Sequence, residues 1–252
     1  MSLSLPRLSR LLECPFPRTF ARTFAVTGAA TLLATLPGTA TARGFSEGSV
    51  TANELLAKVR NCTRISDGLY RSDATEPADI PVCGTPDVVF WKADMDIDCD
   101  GQYSARCNDD MDPSFQPQTA FAQSDGNYLS SEGLPFVVVP MGSDLWEPFS
   151  SGIRGGSVVA VIYGDRVLYA VVGDTGPHDI IGEASYATAE RLGIEPGPEG
   201  GGADSGVTYI VFRGSQVSPI ESHQDAVTLG DELAREFVGR QVRSGDGGED
   251  ED

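Results

Sequence analysis

The residues of this 252-residue chain that can do chemistry are mainly carboxylates: 37 Asp and Glu stand against 18 Lys and Arg and only two His. Two groups of them have a spacing worth pursuing. In the segment 171–185, Asp174 leaves an apolar run at a turn flanked by Gly173 and Gly176, and Glu183 follows nine residues later, where a helix is expected to open. A loop of that length can aim both carboxylates at one cleft. Glycosidic hydrolysis needs such a pair, one protonated to release the leaving oxygen and one ionised to activate water or attack carbon. In the competing reading Asp174 only shapes the turn and Glu183 only caps the helix start, where an acid is favoured. Spacing alone does not separate the two.

The second group is Asp94, Asp96, Asp98 and Asp100, which follows the strand-like run Val88–Ala93. Because strand side chains alternate, Trp91, Ala93, Met95, Ile97 and Cys99 are expected to share one face and the four aspartates the other. A row of like charges repels itself unless something cationic lies against it. Calcium, an arginine cluster and a charged substrate all qualify. The calcium loop pattern D-x-D-x-D-G is matched by Asp96, Asp98, Asp100 and Gly101, but its twelfth position, where a bidentate Glu belongs, is Cys107. No metal is therefore assigned, and calcium stays as the alternative. Asp109, Asp110 and Asp112 suit either reading.

Other chemistries are poorly supplied. His178 and His223 are too few for a histidine cluster, and there is no H-E-x-x-H, no G-x-S-x-G, no P-loop and no dinucleotide-binding glycine pattern. No cofactor is implied. The formal net charge of −19 repels nucleic acid and anionic lipid and attracts polycations.

The elements that must position these residues follow from the rest of the chain. Arg7, Arg10, Arg18 and Arg22, an uncharged run from Phe24 to Leu36, and Ala40-Thr41-Ala42 have the order of a secretory signal peptide, so residues 1–42 are expected to be removed and the protein secreted. That leaves 14 basic against 36 acidic residues, a net charge of −22. No apolar run approaches the length of about 20 residues that a membrane span requires. Cys14 leaves with the signal, and the even set Cys62, Cys83, Cys99 and Cys107 points to two disulfides of open connectivity, not to zinc, since no C-x-x-C spacing is present. Residues 43–53 read as a leader, 54–243 as one catalytic domain, and 244–252 as a solvated acidic tail.

Short β-branched runs at 88–93, 136–139, 157–163, 167–172 and 207–212 read as strands, the middle two forming a hairpin at Gly164-Asp165. Helices are expected at 54–60 behind Asn53, at 184–192 before Gly193, and at 226–238. The fold class is α+β, mainly β, in a single compact domain. A small β-barrel with a few peripheral helices fits it, and a monomer is expected.

Taken together, Tyr70-Arg71-Ser72-Asp73, Phe90 to Gly101, Ser151 to Ser157, Gly173-Asp174-Thr175-Gly176 and Gly182-Glu183-Ala184-Ser185 resemble the chitosanases of glycoside hydrolase family 75. The similarity runs from about Cys62 to Phe237. It implies a secreted, endo-acting enzyme that cleaves β-1,4 links of chitosan with inversion, with its catalytic acid and base on Asp174 and Glu183. The Gly-Asp-Thr-Gly turn is also similar to one in double-psi barrel enzymes such as lytic transglycosylases, which implies a double-psi-like barrel.

Ile180, Ile181 and Ala184 around Glu183 favour it as the protonated acid, with Asp174 as base; the barrel analogy points the other way. Chitosan carries ammonium groups, so the row Asp94, Asp96, Asp98 and Asp100 is the expected substrate-binding surface, with Trp91 and Tyr70 as candidate stacking surfaces for sugar rings. For Trp91, burial in the core competes. Arg71, Arg154 and Lys92 are expected to pair with the acids. A peptidoglycan-type glycan-cleaving enzyme and a calcium-dependent extracellular binding module are the alternatives.

Overall fold

Val, Ile, Tyr and Phe fill the runs that become strands, because branched and aromatic side chains pack well on a pleated surface. In the computed structural model, which describes residues 45–240, seven strands form: β1 (Cys83–Gly84), β2 (Val88–Asp98), β3 (Phe136–Pro140), β4 (Val158–Tyr163), β5 (Arg166–Gly176), β6 (Glu183–Ser185) and β7 (Ala203–Phe212). The expected signal peptide and acidic tail lie outside the described residues. No helix among the described residues is long and apolar enough to cross a membrane.

Six strands close on themselves in the order β2-β6-β3-β5-β4-β7 and back to β2, while β1 adds to β2 beside β6. The β4–β5 hairpin turns at Gly164-Asp165 as expected, and β2/β6 and β3/β5 are the parallel pairs. The domain is thus a mainly β barrel with three helices: α1 (Ala52–Lys58), α2 (Tyr186–Leu192) and α3 (His223–Gly239).

Alternation divides the barrel's side chains into two cores. One draws on all six barrel strands, with Trp91, Met95, Val137, Val172, Ala184 and Tyr209 among its members. The other packs Phe90, Phe136, Tyr169 and Phe212 against Leu55 of α1 and Phe237 of α3. Each large apolar side chain so buried contributes about 1.5–3 kcal/mol. Within the first core Trp91 stacks on Tyr209, with ring centroids 5.3 Å apart.

Some boundaries differ from the sequence reading, for local reasons. The α1 cap is Thr51, whose side chain exchanges a capping box with Glu54, and Asn53 lies inside the helix. At α2 the cap is Ser185, which accepts from the Thr188 N–H, so the helix begins only at Tyr186. Glu183 is therefore not at a helix start; it lies on the three-residue strand β6, too short to be legible as one.

The cysteines pair as Cys62–Cys83 and Cys99–Cys107. The first ties the segment after α1 to β1, and the second clips the segment that leaves β2 just beyond Asp98.

Candidate active site

The register of β3 brings the two candidate catalytic residues together. Val138 is the partner of Asp174 on β5 and, across its other edge, of Glu183 on β6. Their backbones are thus two strand spacings apart, about 9.5 Å. A bulge makes this possible: Val137 pairs with Val172 but Val138 with Asp174, which leaves Gly173 as the extra residue. The Glu183 carboxyl leans back across β3, since a Cβ placed on Gly176 would lie 3.1 Å from both Glu183 Oε2 and Val138 Cγ1. Both acids line one cavity of ≈ 490 Å³ with Asp98, Asp100, Thr175 and His178.

Their environments differ in kind. Asp174 is 7 % exposed, and its Oδ1 accepts the backbone N–H of Ala120 and of Thr175, each at 2.7 Å. Burial raises its pKa, while those two donors oppose the rise by favouring the ionised form. Among the described residues Glu183 has no such donors. Burial and the charges of Asp96, Asp100, Asp174 and Asp112 push it up to about 7.

The aspartate row does not stay a row. Trp91, Ala93 and Met95 enter the core as alternation requires, but the four acids separate into two clusters. Asp98 and Asp100 join Asp174, each offering an oxygen within 4.8 Å of the others. Asp98 is buried at the end of β2, where its Oδ1 accepts the Asp100 N–H at 2.6 Å and its backbone carbonyl accepts from the Ser131 hydroxyl. Burial and then the charges of Glu183 and Asp174 hold its pKa well above the usual carboxylate range. Asp100 is pushed up to about 6, again chiefly by burial.

Asp94 and Asp96 turn instead toward Asp73. Asp96 is nevertheless the register partner of Glu183 across β2 and β6. The division falls between Asp96 and Asp98, both on β2, while Asp100 lies beyond the end of the strand and follows the loop and not the pleat.

Three adjoining cavities meet at Asp100. Besides the one already described, a cavity of ≈ 510 Å³ includes Asp174, Gln116, Gln118 and Tyr128, and one of ≈ 440 Å³ includes Glu183, Asp96, Asp98 and Asp112. Together they form a long acidic trough.

Two candidate stacking residues are corrected. Tyr70 is 0 % and Trp91 1 % exposed, both within the barrel core, so neither has a face free for a sugar ring. The exposed aromatic in the trough is Tyr128, 42 % accessible. It lies in an irregular segment with no periodicity to mark it. The expected basic partners are corrected as well. Arg71 pairs with Asp179 at 3.8 Å, and Arg154 stacks over Phe149. Among the described residues, none of Asp73, Asp94, Asp96, Asp98, Asp100, Asp174 and Glu183 has a basic side chain within 4.0 Å.

Comparison with known proteins then decides the family. A sequence profile described as "Fungal chitosanase of glycosyl hydrolase group 75" matches residues 95–243, more than half of the chain. The chain belongs to that family. The matched span holds Asp96, Asp98, Asp100, Asp174 and Glu183; it begins inside β2, so Tyr70, Trp91 and Asp94 fall before it.

Among curated proteins, the chain is similar to an endo-chitosanase of Aspergillus oryzae, 33% identical over 144 residues that cover 52% of this chain and 58% of that protein. It is also similar to endo-chitosanase B of the same organism (33% over 136 residues, 51% and 56%) and to an endo-chitosanase of Aspergillus fumigatus (30% over 142 residues, 51% and 60%). The chain thus spans less than two thirds of the length of these relatives.

Proposed function

We propose that this protein is a secreted endo-chitosanase that hydrolyses β-1,4 links of chitosan with inversion, Glu183 acting as general acid and Asp174 as general base. The shared register with Val138 carries the assignment, because it sets on the same trough two carboxylates of which one, Asp174, accepts N–H donors that favour its ionised form and the other, Glu183, is pushed up to about 7. Glu183, raised to about 7, is largely protonated in mild acid and can donate its proton to the glycosidic oxygen as the bond to the anomeric carbon breaks. Asp174, in which two N–H donors oppose the rise that burial causes, takes a proton from the water that attacks the opposite face of that carbon. The hydroxyl ends on the inverted anomeric carbon and the leaving sugar keeps the proton from Glu183. Inversion requires room for that water between the two carboxyl groups, about 6.5–9.5 Å, and a carboxyl separation near 5 Å would count against it.

Substrate charge follows from what the trough lacks. Asp96, Asp98, Asp100 and Asp112 line it without basic partners, so an ammonium-bearing polymer supplies the missing cations. Tyr128 offers the exposed ring against which a sugar can stack. Its length, three cavities joined at Asp100, suits internal cleavage. Two disulfides and the basic-apolar-small order of residues 1–42 support export.

The test is Asp174→Asn and Glu183→Gln. Each is expected to keep the wild-type melting temperature within about 2 °C and to lose more than about a hundredfold of reducing-end release from chitosan. Near-wild-type activity in either variant removes that residue from its role.

A further inference from the structure

The second acidic cluster shares Asp96 with the edge of the trough, but its other two members, Asp73 and Asp94, have no part in the proposed reaction. Asp73, in the segment after Tyr70, and Asp94 and Asp96 on β2 each offer a carboxylate oxygen within 4.8 Å of the other two. Asp73 and Asp94 line none of the three cavities of the trough. We propose that Asp73, Asp94 and Asp96 form a divalent-cation site suited to Ca²⁺, distinct from the catalytic pair.

A second observation joins the convergence of charge. Asp94 is only 7 % exposed, and its Oδ1 is fully buried with no hydrogen-bond partner. An acceptor withdrawn from water and left unpaired is costly, and a carboxylate more so. The Asp94 backbone N–H offsets only part of that cost. A Cβ on Gly182 would lie 2.1 Å from that oxygen, so glycine is the residue that fits against it. Arg71, close to Asp73 in sequence, is engaged by Asp179 and by the Glu76 carbonyl. Asp204 adds further negative charge, and burial together with these neighbours pushes the Asp94 carboxyl up to about 7.

Oxygens at about 2.4 Å on opposite sides of a calcium ion are about 4.8 Å apart, so the three carboxylates fall within the span of one coordination sphere. Ca²⁺ takes 6–8 oxygen ligands, and the exposed sides of Asp73 and Asp96 leave room for water to complete the set. A sugar-borne ammonium fits less well, because Asp94 is the deepest of the three and is walled by Gly182 and Ala93.

The location gives the ion a mechanical task. Arg71 donates its N–H to the Asp179 carbonyl and accepts from Ile181 N–H, both at 3.0 Å, and Asp96 N–H donates to the Gly182 carbonyl at 2.8 Å. A cation bridging Asp73, Asp94 and Asp96 would therefore clamp both flanks of the segment that delivers Glu183.

The experiment uses the full chain freed of metal with a chelator, then titrated with CaCl₂ by calorimetry and thermal melting. At a hundredfold excess over Kd the melting temperature is expected to rise by roughly 5–10 °C. Asp73→Asn, an exposed loop position, is expected to weaken Ca²⁺ binding at least tenfold, whereas Asp100→Asn in the trough keeps it. The proposal is overturned if Ca²⁺ neither binds nor shifts the melt of the wild type. It is equally overturned if Asp73→Asn binds as the wild type does, or if Asp100→Asn and not Asp73→Asn abolishes binding.

Discussion

Replacing Asp96 by Asn tests whether neighbouring charge, and not burial alone, keeps Glu183 protonated. Asp96 faces Glu183 in register across β2 and β6, and its charge is the largest electrostatic contribution to the rise of Glu183 from 4.5 to about 7. With that rise half of the Glu183 carboxyls are protonated at pH 7; at the ordinary value roughly 0.3 % would be.

The two backbones are one strand spacing, about 4.8 Å, apart, and a carboxylate separation of roughly 6 Å, the near limit for a Glu183 side chain that leans away from β2, bounds the effect from above. Their repulsion is then ~0.7 kcal/mol with full water screening and ~2.8 kcal/mol at an effective dielectric of about 20. Asp96 is exposed, so the lower part of that range applies, equivalent to about 0.5–1 pH unit. The alkaline limb of kcat/KM is therefore expected to move down by that amount in Asp96→Asn. The assay is reducing-end release from soluble glucosamine oligomers between about pH 4 and 9, with chelator present so that a bound ion does not mask the Asp96 charge. Substrate ammonium groups titrate too, but identically for both proteins, so the difference between profiles isolates the enzyme. An alkaline limb that stays in place or moves up would refute the reasoning.

Asp94 and Gly176 support two further predictions. Because the pKa of Asp94 is raised in the fold from 3.8 to about 7, its contribution to stability is intact in acid below about pH 4 and is lost as pH rises through 7. In chelator, Asp94→Asn is expected to melt roughly 2–6 °C above the wild type at pH 8 and level with it at pH 4; a lower melting temperature at pH 8 would count against a destabilising buried charge. Gly176→Ala sets a methyl 3.1 Å from Glu183 Oε2, so the carboxyl must shift by a few tenths of an ångström. About a tenfold loss in kcat with an unchanged melt is expected, and wild-type kcat would show that the Glu183 position against Gly176 is not used in catalysis.

The strands of the barrel were legible because their information is local: 88–93, 136–139 and 207–212 are β-branched runs between turn residues, and alternation correctly sent Trp91 and Met95 inward. β6 was not legible, since three residues carry no period, and its strand character comes from hydrogen bonds to β2 and β3. The same limit explains Glu183, which looked like the start of a helix until Ser185 proved to be the cap. Tyr70 illustrates the converse: an aromatic in a polar loop reads as available, yet the fold seals it in the core.

The sequence by itself determined the acidity, the even set of cysteines, the barrel's strand runs and the identity of the residues able to do acid–base work, because composition, period and motif are properties of the chain alone. Tertiary structure decided which carboxylates meet. The register of β3 set Asp174 and Glu183 on one trough, and the fold divided one aspartate row between a cluster with Asp174 and a cluster with Asp73. Those outcomes depend on strand pairing and burial between residues up to about a hundred positions apart, and burial is also what shifts the carboxyl pKa values on which the proposed chemistry rests.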